Sequence, residues 1–325
     1  MTVAEMTTPL KTTDKCEEKP AAFRHILVAT DFSEPSRRAL CDALALAAEN
    51  HAHVSVVHVL PHEPKAASPE LDRERVHAEQ AIKALAKELK PEQEVASVLV
   101  KYGRVAETVV KVIEDEAVDL LPVDLLVIGT RGRGGLQKVA LGSVAEELLR
   151  VAPCPVMTIG PKADTAAMQH GPGLHTILFA TDYGKGSVKA LPLALALARQ
   201  QHAKLVMLHV FSPMPATSGS LSTYAPATAG AEEVAAWAVS SRKRALKQLQ
   251  ECLPAETGLE HAPELIVGTE FLEEGLLAAV SKFKVDLIVM GANHAASARM
   301  AAHNPWTYVH EIVQTAPCPV LTVAG

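Results

Sequence analysis

The chain is poor in several things, and each shortage narrows its chemistry. Only 4% of its 325 residues are aromatic. Its formal net charge is -6, which argues against a general nucleic-acid or membrane-surface binder. No run approaches ~18 uninterrupted apolar residues, so no membrane-spanning helix is expected. The five cysteines, Cys16, Cys41, Cys154, Cys252 and Cys318, are scattered and form no C-x-x-C pair. That usage fits a reduced, cytoplasmic setting without a zinc site. Residues 1–21 have no apolar core of a secretory signal and read as a loose tail. No H-E-x-x-H, nucleophile elbow or kinase signature occurs. A Walker loop and the dinucleotide fingerprint G-x-G-x-x-G are missing too. Without a Walker lysine or a water-activating residue, fast hydrolysis is not expected.

What the chain does have is a glycine-rich stretch, Val127-Ile128-Gly129-Thr130-Arg131-Gly132-Arg133-Gly134-Gly135, running on to Leu141-Gly142-Ser143-Val144-Ala145-Glu146. Leu125 to Ile128 form an apolar run suited to a parallel strand buried on both faces. The glycines permit positive φ and close approach of backbone to a ligand. Ser143 and Glu146 match a capping box, with Ser143 opening a helix. A loop of free N–H groups leading to a helix N-terminus is an anion site, so the expected occupant is a nucleotide's phosphates. Arg131, Arg133 and Lys138 lie in the same loop and read as solvated surface residues, with screening of phosphate charge as the alternative.

The chain repeats itself. His25-Ile26-Leu27-Val28-Ala29-Thr30-Asp31 recurs as Thr176-Ile177-Leu178-Phe179-Ala180-Thr181-Asp182, and His58 recurs as His209 at the same spacing. Ala152-Pro153-Cys154-Pro155-Val156 recurs as Ala316-Pro317-Cys318-Pro319-Val320 at a longer spacing, so the second copy carries a net insertion. Two copies of one domain follow, at 22–161 and 174–325, joined by a linker at 162–173. In copy one, strands at 26–30, 54–60, 95–100, 125–128 and 156–159 alternate with helices at 36–49, 69–89, 105–116 and 144–150. That order specifies an α/β fold of two tandem doubly wound five-stranded parallel sheets. Ligands in such sheets bind beyond the carboxyl ends of the strands. In copy two, Ser212 to Gly230 has no apolar period and reads as a long mobile loop.

The spacing Gly129, Gly132, Gly142-Ser143, a G-x2-G-x9-G-S pattern, resembles the ATP-binding signature of the universal stress protein family. The resemblance covers about 22–160 and 174–324. It implies a Rossmann-like fold of the adenine nucleotide alpha hydrolase type, with ATP, with or without magnesium, across the carboxyl edge. Carried over by position, Asp31 would meet the adenine or ribose end, with Ala29 and Thr30 beside it. Val59 would contact adenine. Ile128, Gly129 and Gly132 would line ribose and phosphates. Gly142, Ser143 and Val144 would face the phosphates. Asp31 and Ser143 also read as ordinary turn and cap residues.

Copy two departs from the pattern, with His294 in place of the second glycine and Asn304-Pro305 in place of Gly-Ser. A side chain at 294 and a proline without N–H at 305 remove the anion nest, although proline is favoured at a helix's first position. Copy two is therefore expected to keep the fold and bind triphosphate weakly or not at all, leaving Asp182 a structural role. His58 and His209 lie in apolar strands and read as packed core histidines. Family members dimerise through their fifth strands, so Pro155–Ile159 and Pro319–Val323 are expected to pair within one chain as a pseudo-dimer, with a homodimer also open. The resemblance implies a stress-response nucleotide sensor with an unidentified protein partner. The alternatives are a slow ATPase or nucleotidyl-transfer enzyme, and a nucleotide-free interaction module.

Overall fold

A computed structural model describes residues 22–60, 69–90, 92–115, 121–130, 141–163, 173–210, 231–268, 272–292 and 305–325. Copy one runs β1 (His25–Ala29), α1 (Glu34–Asn50), β2 (His53–Leu60), α2 (Pro69–Leu89), β3 (Ser97–Tyr102), α3 (Val105–Glu114), β4 (Leu125–Gly129), α4 (Ser143–Val151) and β5 (Val156–Ile159). Copy two runs β6 (Thr176–Ala180), α5 (Lys185–Gln200), β7 (Lys204–Val210), α6 (Ala231–Cys252), β8 (Glu264–Gly268), α7 (Leu272–Phe283), β9 (Leu287–Ala292), α8 (Pro305–Thr315) and β10 (Val320–Ala324).

Every element expected in copy one is present, with ends shifted by a few residues at most. The starts of α1 and β3 each move by two residues, from Ser36 to Glu34 and from Val95 to Ser97. The two five-stranded sheets are not separate. They join edge to edge in one 10-stranded sheet of order β3-β2-β1-β4-β5-β10-β9-β6-β7-β8. Neighbouring strands run parallel except at the junction, where β5 and β10 pair antiparallel, Val320 with Thr158 and Thr322 with Val156. The expected pairing of these two strands within one chain is therefore present. It removes two sheet edges that would otherwise expose unpaired backbone groups.

Alternation along the strands feeds two cores. Ile26, Val28, Val54 and Val56 face a cluster with Leu40 and Leu44 of α1, Ile82 of α2, Leu197 of α5 and Leu249 of α6. Leu27, Val57, Val59 and Ile128 face the opposite cluster with Val109 of α3, Leu148 of α4, Leu276 of α7 and Ile312 of α8. Each core runs through both copies, as one continuous sheet requires. The ends of α1 and α5 also meet: the Gln200 side chain accepts from the Ala22 amide at 2.8 Å and donates to the Glu49 carbonyl at 3.4 Å. Among the described residues, no helix is long and apolar enough to cross a membrane, and no group of three or more His, Cys, Asp or Glu could hold a metal ion.

Candidate functional site

The order β3-β2-β1-β4-β5 puts the switch point of copy one between β1 and β4. The chain leaves β1 towards β2 on one side and returns through β4 on the other. Ala29 pairs with Val57 of β2 and Ile128 of β4, so Ala29, Ile128 and Gly129 share one carboxyl edge. Val59 lies farther along β2 and is buried in the core on one face of the sheet. Six sequence-expected residues, Ala29, Thr30, Asp31, Val59, Ile128 and Gly129, come from the ends of these three strands. Gly132, with Arg131, Arg133 and Lys138, lies outside the described residues.

Beyond β1 the chain makes a tight loop into α1. Thr30 is buried; its amide donates to the Val57 carbonyl at 2.9 Å and its hydroxyl oxygen accepts from the Phe32 amide at 3.2 Å. Asp31 accepts from the amide of Ser33 at 3.0 Å and its hydroxyl at 2.5 Å. That is an Asx turn, and it orients Ser33, the N-cap of α1. The turn role expected as an alternative for Asp31 is thus built into the fold.

Packing alone requires glycine at position 129. A Cβ there would stand 2.6 Å from the carbonyl carbon of Pro35 and 2.7 Å from the amide nitrogen of Ser36. The close approach in the fold is between the end of β4 and the first turn of α1.

The start of α4 also differs from the expected capping box. Gly142 is the N-cap, in extended conformation and without a side chain to cap the helix, and Ser143 is the first helical residue. Serine followed three residues later by glutamate fits a cap at Ser143 equally well in sequence. The chain instead fixes Gly142 by donating its amide to the Thr130 carbonyl at 2.8 Å. Glu146 is engaged with Arg150 rather than reaching back. The Gly142 amide is therefore used within the fold, while Ser143 and Val144 are exposed at the first turn, whose N–H groups have no intrahelical acceptor.

Thr130 was not singled out from sequence, yet it ties this edge together. Its amide and hydroxyl both donate to the Ile159 carbonyl, at 3.2 and 3.1 Å, and its own carbonyl receives Gly142. One buried threonine thereby fixes the end of β4, the end of β5 and the entry to α4. Its position after an apolar strand and a glycine was the available signal.

His58 is only half buried, not packed away as expected for a residue of an apolar strand. Its Nδ1 lies 2.7 Å from the Thr30 carbonyl, and its ring contacts Phe32 with centroids 4.7 Å apart. The loop after β1 is thus clasped from below by β2.

Copy two reproduces this clasp: His209 Nδ1 lies 2.8 Å from the Thr181 carbonyl and its ring 4.4 Å from that of Tyr183. Burial holds the His209 imidazole below its ordinary pKa, because the charged ring is the form that loses hydration. Asp182 accepts from the Gly184 amide at 2.8 Å and the Ser187 hydroxyl at 2.6 Å, the structural work expected of it. Pro305 opens α8, as its position predicts. His294 and Asn304 lie outside the described residues, as does the loop from Ser212 to Gly230.

Comparison with known proteins places both copies in one group. The model of the universal stress protein family matches residues 22–160 and 173–324. Universal stress protein A homolog 1 of Coxiella burnetii is 36% identical over 142 residues, covering 43% of this chain and 98% of that protein. A universal stress protein of Methanocaldococcus jannaschii is 30% identical over 149 residues, covering 42% of this chain and 82% of that protein. Each of these relatives therefore spans about one copy. The crystal structure of a universal stress protein from Archaeoglobus fulgidus superposes with a TM-score of 0.59 over 92% of this chain and 98% of that one. At 16% identity, that likeness speaks to the fold.

Proposed function

From the premise that the chain belongs to the universal stress protein family, we propose that it is an ATP-binding module with one working site, in copy one. The observation that carries the reading is the first turn of α4, whose N-cap, Gly142, has no side chain to close it. Ser143 and Val144 stand exposed there, next to the carboxyl edge at the switch point of β1 and β4. Amides at such a turn carry partial positive charge and suit a polyphosphate. The fit is narrower than the signature implies, since Gly142 and Gly129 are occupied by contacts within the fold. Phosphate would fall to Ser143 and Val144, with Gly132 beyond the described edge. The adenine and ribose end would lie along Ala29, Thr30, Asp31, Val59 and Ile128.

Copy two keeps the scaffold but opens its last helix with Pro305, which has no N–H to give. It serves as the structural partner of copy one. Binding in copy one would change which protein surface is presented, the module acting as a cytoplasmic sensor in a stress response. Mass spectrometry of the nucleotide released by heating the purified chain tests this. Recovery of ATP near one equivalent supports it. Nucleotide-free protein that also takes up none from millimolar ATP would refute it.

A further inference from the structure

The geometry points to His58 as a positioning residue for the nucleotide site; this rests on the proposed ATP site in copy one. A carbonyl oxygen can only accept, so the 2.7 Å contact with Thr30 fixes the proton on Nδ1 of His58. That bond and the Thr30 amide bond to Val57 tie both the amide and the carbonyl of one residue to β2. Two residues on, Phe32 sits at φ 63, in the left-handed region that a bulky side chain avoids. Its ring rests against His58, and its amide is held by the Thr30 hydroxyl. The loop is thus over-determined into a strained shape, and this shape carries Asp31 at the edge where adenine and ribose would lie.

Copy two shows that the arrangement is a device of the fold. Tyr183 has φ 61, rests on His209, and has its amide held by Thr181. There the tyrosine hydroxyl adds an anchor, donating to the Ala245 carbonyl at 3.0 Å. Phenylalanine at 32 has no hydroxyl to make that bond.

Losing the Nδ1 donor would let the loop sample other shapes, lowering the binding-competent fraction and weakening apparent affinity in proportion. The test is calorimetric titration of ATP into full-length wild-type chain and four variants, each checked for a cooperative thermal transition. His58→Asn places its amide N–H close to where Nδ1 stands and is expected to bind within about threefold of wild type. His58→Leu lacks the donor, and His58→Gln moves it one bond outwards. Both are expected to bind at least about tenfold more weakly, and the glutamine variant serves if the leucine variant does not fold. His209→Leu removes the same clasp from copy two and is expected to leave ATP affinity unchanged.

Equal affinity of wild type, His58→Leu and His58→Gln would overturn the inference while leaving the ATP site standing. Equal weakening by His209→Leu would overturn it too, by exposing a general loss of stability. So would weak binding by His58→Asn. Wild-type chain that binds no ATP would instead remove the proposed site and this inference with it.

Discussion

Met157 pairs with Leu321 across the antiparallel junction of β5 and β10. Each residue directly follows an Ala-Pro-Cys-Pro-Val segment, so the two occupy the same place in their repeats. The local two-fold axis of the molecule therefore passes between them. Strands on either side of this axis run in opposite directions, and the carboxyl edges of the two copies face opposite ways. The switch point of one copy thus lies at the other end of the sheet from that of its twin. A degenerate second copy can then support the first through the shared sheet without completing its pocket.

The junction carries a prediction about stability. Met157 is 1% exposed, and truncating a buried methionine leaves a cavity worth about 2–5 kcal/mol. Met157→Ala should lower the urea midpoint of the whole chain by a corresponding amount, because both cores run through the seam. An unchanged midpoint would mean that the junction contributes nothing to folding.

Asp42 predicts a pH dependence. It lies on α1 at 1% exposure, and its Oδ2 has no hydrogen-bond partner among the described residues. Burial pushes its pKa from 3.8 up to about 7, against the opposing pull of Arg38. A raised folded value means that the native state holds the proton more tightly than the unfolded chain does. The stability tied to that proton is full below about pH 4 and is lost as pH rises to about 7, amounting to at most about 4 kcal/mol. Asp42→Asn should accordingly raise the urea midpoint at pH 8, and the gain should shrink steadily towards pH 4. A gain independent of pH would contradict the assignment.

Gly129→Ala should destabilise through a named clash. The added methyl meets the backbone of Pro35 and Ser36, which cannot rotate away as a side chain would. Overpacking of this kind costs about 1–3 kcal/mol. Differential scanning calorimetry checks it; a melting temperature equal to that of wild type would show that α1 and β4 can part without penalty.

Much of this architecture is readable from the chain because its signals are periodic. The stripe of Ala78, Ile82 and Leu89 marks α2, and Pro69 marks its start; the helix found has the expected bounds. The repeated Ala-Pro-Cys-Pro-Val segments before two short apolar runs mark the strands that join the copies. The site is less legible because its details are decided by contacts distant in sequence. Ser143 looks like a cap until Thr130 is seen to take the Gly142 amide. Nothing near Gly129 in the sequence shows that α1 packs on it. His58 looks like core until the loop after β1 folds back over β2 and offers it a carbonyl.

The most direct measurement is a calorimetric titration of ATP into the wild-type chain and into Ser143→Pro. Position 143 is the first residue of α4, where proline is tolerated, and Gly142 before it is already extended, with ψ 142. The substitution removes one N–H and leaves the helix in place, the arrangement that copy two has at Pro305. One ATP per wild-type chain, with affinity at least about tenfold lower in the variant at an unchanged melting temperature, is the predicted result. Two sites per chain, or equal affinity in both proteins, would contradict a single polyphosphate site built on the first turn of α4.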